Sequence, residues 1–320
     1  MNETTTLSPC IVLSWSDDTM AARAPTVIIC LVALPIHLGF WIHLLFYRSV
    51  RQRGMIWLYI YLISDFFLII RFLLFYFQRT ERICVPRTPR TYLCYFEAIS
   101  KIYTNILQSY ILLGLNVCRY VQIVWNRNVY LKHMRLFILS LILIFLLPGI
   151  NVTFQFLINW TVLWRKIGGL CDITYLAIYV QIYNLIVVYF IPVLLNILFL
   201  GLCIRFISST GNIQNQQIRN NRRKFHRTIL KQSILFYSIW ILLWSPFVLS
   251  FQFINSNSSA GIFTSLLNYV QVAIDPAIVA VIDVRFLKAW KNTYRKLVRK
   301  TRRYIQPTTI LTATHTAKKY

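Results

Sequence analysis

Four ionisable residues, Asp65, Arg71, Lys101 and Asp275, lie deep within otherwise apolar stretches of this 320-residue chain. A charge in hydrocarbon is costly, so such residues face a protein interior and mark function. Asp65 and Asp275, if brought together, disfavour joint ionisation. They would then share a proton or hold a cation. Lys101 and Arg71 carry the opposite charge. With Arg79, Arg82, Arg87 and Arg90 nearby, they form a basic field suited to a carboxylate, a phosphate or an acidic peptide side chain. Glu97 precedes Lys101 by four residues, the good orientation for an intrahelical pair. Enzymatic chemistry finds no comparable set. The five histidines, His37, His43, His133, His226 and His315, show neither H-E-x-x-H spacing nor clustering. The chain is expected to be no enzyme and to need no cofactor.

The elements that position these residues are seven apolar segments, at 26–47, 55–77, 94–118, 136–158, 175–204, 229–254 and 262–283. A bilayer core about 30 Å thick needs roughly 20 apolar helical residues to cross it. The composition agrees, at 57% hydrophobic and 13% charged. The loops are too short for a second domain with its own core. Internal repeats of the kind transporters carry are not evident.

The net charge of +25 is unevenly placed. With the N-terminus outside, 25 of the 34 Lys and Arg fall in the inner regions and seven in the outer ones. That bias sets the orientation. It also explains the basic excess by attraction to anionic lipid headgroups, with no nucleic acid involved. The first 24 residues lack an apolar signal-peptide core, so the first helix is expected to act as the anchor. Sequons at Asn2, Asn159 and Asn257 all fall outside, whereas Asn151 lies within a span. Cys10, Cys84, Cys94 and Cys171 are also outside, where disulfides persist. Their spacing allows three pairings. Cys30, Cys118 and Cys203 read as reduced packing residues.

Cys94 opens the third segment and Cys118-Arg119-Tyr120 closes it, 25 residues or about 37 Å of helix from Cys94 to Arg119. Trp244-Ser245-Pro246 stands in the sixth segment and Asp275-Pro276-Ala277-Ile278-Val279 in the seventh. Asp65 and Pro192 fall on the second and fifth, and Phe286 follows the seventh. In this order the residues resemble the rhodopsin-like (class A) family of G-protein-coupled receptors over about residues 26–303. The resemblance implies a Cys94–Cys171 disulfide, G-protein coupling through Arg119 and Tyr120, and an activation switch at Trp244, Pro246, Asp275, Pro276 and Asp65. It also implies a sodium site between the two aspartates. There Gln108 stands in place of a small hydroxyl residue, and its longer amide could fill the ion's space.

The departures are specific. Cys118 replaces the acid before Arg119, Val279 replaces the last tyrosine of the seventh-helix motif, and the first helix has no Asn. Without that acid, raised basal signalling is expected. No lysine stands in 262–283, which argues against a retinal-binding opsin.

The resulting expectation is an all-α membrane protein, a seven-transmembrane helix bundle with a short amphipathic eighth helix. Residues 1–25 form an outer tail, 26–284 the bundle, 285–303 a basic amphipathic helix on the inner leaflet and 304–320 a disordered tail. The expected function is a plasma-membrane receptor for an extracellular ligand, a peptide or a small anion, that activates a heterotrimeric G protein. Ligand contacts are expected from Lys101, Glu97, Arg71, Tyr269, Phe247, Phe251 and Asn184. A non-signalling decoy receptor is the alternative, and a transporter a more distant one.

Overall fold

The computed structural model describes residues 10–12, 14–47, 51, 53–125, 134–165, 170–209, 216–254 and 258–282, with single positions from 286 to 298. The sequons at Asn2 and Asn257, the side chain of Phe251 and the tail 304–320 lie outside the described residues.

Seven long helices account for most of the described chain. α1 (Asp17–Phe46) starts nine residues before the apolar segment that announced it. Ser16 caps it by accepting from the Thr19 amide, and Asp17 and Asp18 complement the positive end of the helix. These are polar signals, which hydropathy does not register. α2 is Ile56–Thr80, α3 Arg87–Val124 and α4 Met134–Leu157. α5 joins Ile178–Asn184, a π-helical turn Leu185–Phe190, and Ile191–Ser209. α6 is Gln216–Phe253 and α7 is Ser259–Ile282. Two small antiparallel ribbons cover one end. β1 (Cys10–Val12) pairs with β2 (Cys84–Pro86), and β3 (Thr161–Arg165) with β4 (Cys171–Tyr175).

Six of these helices are long and apolar enough to cross a membrane, and α3 is not among them. Yet α3 is central, packing on α2, α4, α5 and the β3–β4 ribbon. Its Ser100, Lys101, Thr104, Asn105, Gln108, Ser109 and Asn116 are all buried. Polar groups that face protein partners lower hydropathy without facing lipid. The reverse holds for α4, where Leu139, Ile142, Leu143, Leu146 and Leu147 are exposed while Phe137, Val152 and Gln155 are buried. An exposed apolar face this extensive requires lipid around it. The molecule is a helical membrane bundle. α7 closes it by packing on both α1 and α6.

Prolines shape the helices and leave carbonyls to be satisfied. Pro192 has no N–H for the preceding turn, whether α- or π-helical. Two α3 hydroxyls take the carbonyls concerned. Ser109 Oγ donates to Val188 O at 3.3 Å, and Tyr110 Oη to Val187 O at 3.2 Å. Pro276 likewise frees the carbonyl of Val272, and His37 of α1 donates to it from Nε2 at 2.9 Å. His37 is therefore the Nε2-protonated tautomer, structural in role. Gly114 of α3 faces its neighbours closely. A Cβ there would lie 2.9 Å from both Ile144 Cδ1 and Trp57 Cη2.

Candidate functional site

Toward the ribbon-covered end, one cluster holds most of the buried charge. Arg79 of α2 makes a two-pronged ion pair with Glu97 of α3, both side chains nearly inaccessible. Glu97 Oε2 also accepts from the Cys171 amide at 3.1 Å, and Trp15 lies 4.9 Å from the Arg79 guanidinium. The expected Glu97–Lys101 pair thus gives way to an interhelical one. A bidentate guanidinium outcompetes a flexible ammonium for a planar carboxylate. Arg71 donates to Ser100 Oγ (2.7 Å) and to the Glu97 carbonyl (2.8 Å). Lys101 Nζ sits 5.1 Å from the centre of the Phe247 ring. Its charge interacts with those of Asp172, Arg23, Arg71 and Glu97.

Arg23 and Asp172 are the residues that sequence reasoning missed. Both are buried, at 2% and 6% exposure. Arg23 stood one turn outside the first apolar segment and Asp172 in a loop, so hydropathy placed both in water. Burial pushes the Asp172 carboxyl up from its ordinary value, and the charge of Lys101 pulls it part of the way back.

Below this cluster a cavity of about 20 Å³ is lined by Lys101, Asn105, Tyr175, Asn184, Phe247 and Gln252, among others. Lys101, Phe247 and Asn184 therefore meet as expected, and Tyr269 and Arg71 line an adjoining cavity of about 10 Å³. Asn184 is also engaged in a reciprocal pair with Gln155 of α4, at 2.7 and 3.0 Å. Asn105, another residue missed from sequence, is a node. Its Oδ1 accepts from Trp244 Nε1 (3.2 Å) and from Asn268 Nδ2 (3.4 Å), joining α3 to α6 and α7.

From Phe247, one face of α6 runs inward through Trp244, Trp240 and Tyr237 to Ser233. Trp244 and Trp240 stack at 4.2 Å, and Trp240 and Tyr237 at 5.4 Å. The spacing of three or four residues keeps them on one side of the helix. Pro246, half-buried, stands two residues beyond Trp244, where the ladder lacks a donor. Ser233 accepts from Arg119 of α3. Tyr120 beside it packs on Phe199 and Trp125. Cys118 Sγ accepts from Trp57 Nε1 at 3.2 Å.

Beside this column lie the two aspartates, with Pro276 buried next to Asp275. Asp65 Oδ1 accepts from Gln108 Nε2 at 2.6 Å. Asp275 Oδ2 accepts from Tyr61 Oη (2.9 Å) and Gln271 Nε2 (3.1 Å). Asp65 Oδ2 is buried and receives no donor from other side chains or backbone. The two carboxyls lie within electrostatic range of each other. Among the described residues no group of three or more His, Cys, Asp or Glu could hold a metal ion.

Cys94 and Cys171 are disulfide-bonded, tying α3 to β4. Cys84 is bonded as well, and its strand lies against Cys10–Val12. Cys30, Cys118 and Cys203 are buried thiols outside any disulfide. Asn159 is exposed, in a left-handed turn with φ of 56°.

The backbone of squid rhodopsin superposes on this one with a TM-score of 0.67, covering 89% of this chain and 88% of that one. The fold is rhodopsin-like. Identity over the match is 15%, so the likeness concerns architecture and not the site. No protein-family model matches the sequence. No curated protein matches it either.

Proposed function

We propose that the chain is a class A G-protein-coupled receptor of the plasma membrane, with α3 as its seventh span. It binds an extracellular ligand, a peptide or a small anion, at the basic outer cluster and activates a heterotrimeric G protein at its inner end. The observation that carries this reading is the column on α6. It links a residue of the outer cavity, Phe247, through Trp244, Trp240 and Tyr237 to Ser233, the partner of Arg119. A ligand pressing on Phe247 and Trp244 would swing α6 about Pro246 and release Arg119 toward a G protein.

Lys101, Arg71, Tyr269, Phe247, Asn184 and Phe251 are assigned to the ligand, and Glu97 to holding Arg79 and Cys171 in place around it. Asp65 and Asp275 are read as a proton-sharing pair. Gln108 occupies the room a sodium ion would need, so sodium is the weaker reading for that site. Asn2, Asn159 and Asn257 are assigned as glycosylation sites. Residues 285–303 are assigned as the eighth helix on the inner leaflet. Its first turn is anchored by Phe286, stacked 4.9 Å from Phe40.

One observation favours a decoy receptor instead. Both positions at which the coupling motifs are altered are packed into the core, Cys118 beneath Trp57 and Val279 at 2% exposure.

The test compares basal cAMP and calcium output of the wild type with Arg119→Ala at equal surface density. Basal output that disappears in the mutant supports coupling through Arg119. Silence in both, with no arrestin recruitment by candidate ligands, favours the decoy.

A further inference from the structure

The outer cavity is built around neutral amides. It lies between α3, α5, α6 and β4, and the carboxamides of Asn105, Asn184 and Gln252 line it. The first two are already committed. Asn105 Oδ1 accepts from both Trp244 and Asn268, and its Nδ2 donates to the Lys101 carbonyl at 2.7 Å. A carbonyl oxygen has two lone pairs, so that one is filled. Asn184 is held by Gln155 in two reciprocal hydrogen bonds. Gln252 differs. Its side chain is buried, at 6% exposure, and its Oε1 receives no hydrogen bond from the protein. Folded proteins seldom bury an acceptor without a donor, because its lost hydration goes unreplaced.

The donor that completes Gln252 is an uncharged one. A cationic amine would share the cavity with Lys101, whose ammonium lies 5.1 Å from the centre of the Phe247 ring, and be repelled by it. A carboxylate offers only acceptors and sets oxygen against oxygen at Gln252. An amide N–H does neither. Ile102, Ile106, Val188 and Val248 supply apolar walls beside it. Apolar walls with a few placed polar groups are the usual make-up of a ligand pocket. The volume of about 20 Å³ admits one end of a ligand and not the whole of it. A water has the same donor chemistry and competes for the place. A ligand amide that reproduces its hydrogen bond displaces it with little loss.

We infer that Gln252 is a specificity residue of the ligand site, accepting a hydrogen bond from an uncharged amide N–H such as a peptide presents. The inference rests on this cavity being the ligand site proposed above, and of the two ligand classes offered there it selects the peptide. Gln252 stands on α6 outward of Pro246, so a ligand held there grips the arm of the helix beyond that proline.

The probes are isobutyramide, isobutyrate and isobutylammonium, which put a neutral, an anionic and a cationic group on one branched skeleton. Saturation-transfer NMR reads their contact with the full-length protein in lipid nanodiscs, with the signal of empty nanodiscs subtracted. Isobutyramide should bind saturably and about tenfold or more tighter than either ion. Gln252→Leu should weaken it by about tenfold, the worth of one hydrogen bond to a buried neutral group. Isobutyrate binding as tightly as the amide would overturn the inference, because the cavity would then take an anion. So would unchanged affinity for the amide in Gln252→Leu. Absence of saturable amide binding would also overturn it and leave the cavity to water. Should Gln252→Leu fail to fold, the ranking of the three probes on the wild type decides. Probe binding needs no G protein. A probe preference with silent basal output in both wild type and Arg119→Ala would fail the coupling reading alone. Basal output lost in Arg119→Ala, with no probe preference, would fail this inference alone.

Discussion

The Arg79–Glu97 pair should behave as a buried ion pair, in which either single loss is worse than losing both. Consider Arg79→Met. It leaves the Glu97 carboxylate buried with only the Cys171 amide as a donor. Removing one partner of a buried pair costs about 3–5 kcal/mol. Glu97→Met leaves the guanidinium instead. Trp15, 4.9 Å from it, returns about 0.5–2 kcal/mol. The orphaned Cys171 amide adds a penalty of about 1–3 kcal/mol. The second loss should therefore be near 3–5 kcal/mol as well. The double variant buries no charge and replaces the pair with well-sized apolar groups, a change that is often neutral. Only the Cys171 amide penalty remains, so it should lose about 1–3 kcal/mol. The coupling energy from a double-mutant cycle should exceed about 2 kcal/mol. Purified protein in nanodiscs, unfolded by heat and by denaturant, gives the four stabilities. Additive losses, with coupling under about 0.5 kcal/mol, would refute the argument and mean that the pair is solvated in the membrane-bound protein.

Three further outcomes follow from single positions. Gly114→Leu should lose about 1–3 kcal/mol and lower surface expression, because Trp57 is rigid and already in contact. Gly114→Ala should still lose stability, because its Cβ already meets Trp57 Cη2 at 2.9 Å, but less than Leu, since it adds one methyl and the Ile144 end can turn aside. His37→Leu should lose about 1–3 kcal/mol by leaving the Val272 carbonyl without a donor, and His37→Gln should recover part of it in the same thermal assay. Asp172 has a folded carboxyl raised above its unfolded value by burial, offset in part by Lys101, with Glu97 and Arg23 also in range. Its contribution to stability is then full below about pH 3.9 and is lost as pH rises through the folded value. Asp172→Asn should flatten melting temperature against pH over that window, and an unchanged slope would exclude Asp172 as its source.

Much of the bundle was legible because lipid imposes a simple rule on residues that face it. The apolar segments located each helix to within a few residues on the lipid side. Errors lay where helices extend beyond hydrocarbon, as at Asp17 and at Gln216. α3 was legible by its motif residues and not by apolarity, since its polar face is turned to protein. The cluster around Lys101 was half legible. Ionisable residues inside an apolar run announce themselves, whereas Arg23, Arg79 and Asp172 sit just beyond such runs. The Glu97–Lys101 expectation failed for a general reason. Sequence spacing reports local neighbours, and a tertiary partner with better geometry displaces them. The proline rule had more to give. Pro192 and Pro276 each require a donor for a stranded carbonyl, but no pattern in the chain says which helix will send it.

The inner end shows how the altered motif is accommodated. An acid beside Arg119 would hold it by charge, and Cys118 cannot. Its thiol is instead turned to the indole of Trp57, a contact with α2 that an aspartate could also make. Arg119 is held by the hydroxyl of Ser233, a neutral acceptor on α6. A hydrogen bond to a charged group contributes about 1.5–3 kcal/mol, which sets a modest restraint on α6. Ser233→Ala should therefore raise basal output by about ten- to a hundredfold if Arg119 couples to a G protein, since 1.4 kcal/mol is one decade. Cys118→Asp should lower it by restoring a charged partner. If neither change alters basal output at matched expression, the resting state is fixed elsewhere, in the stacked tryptophans above.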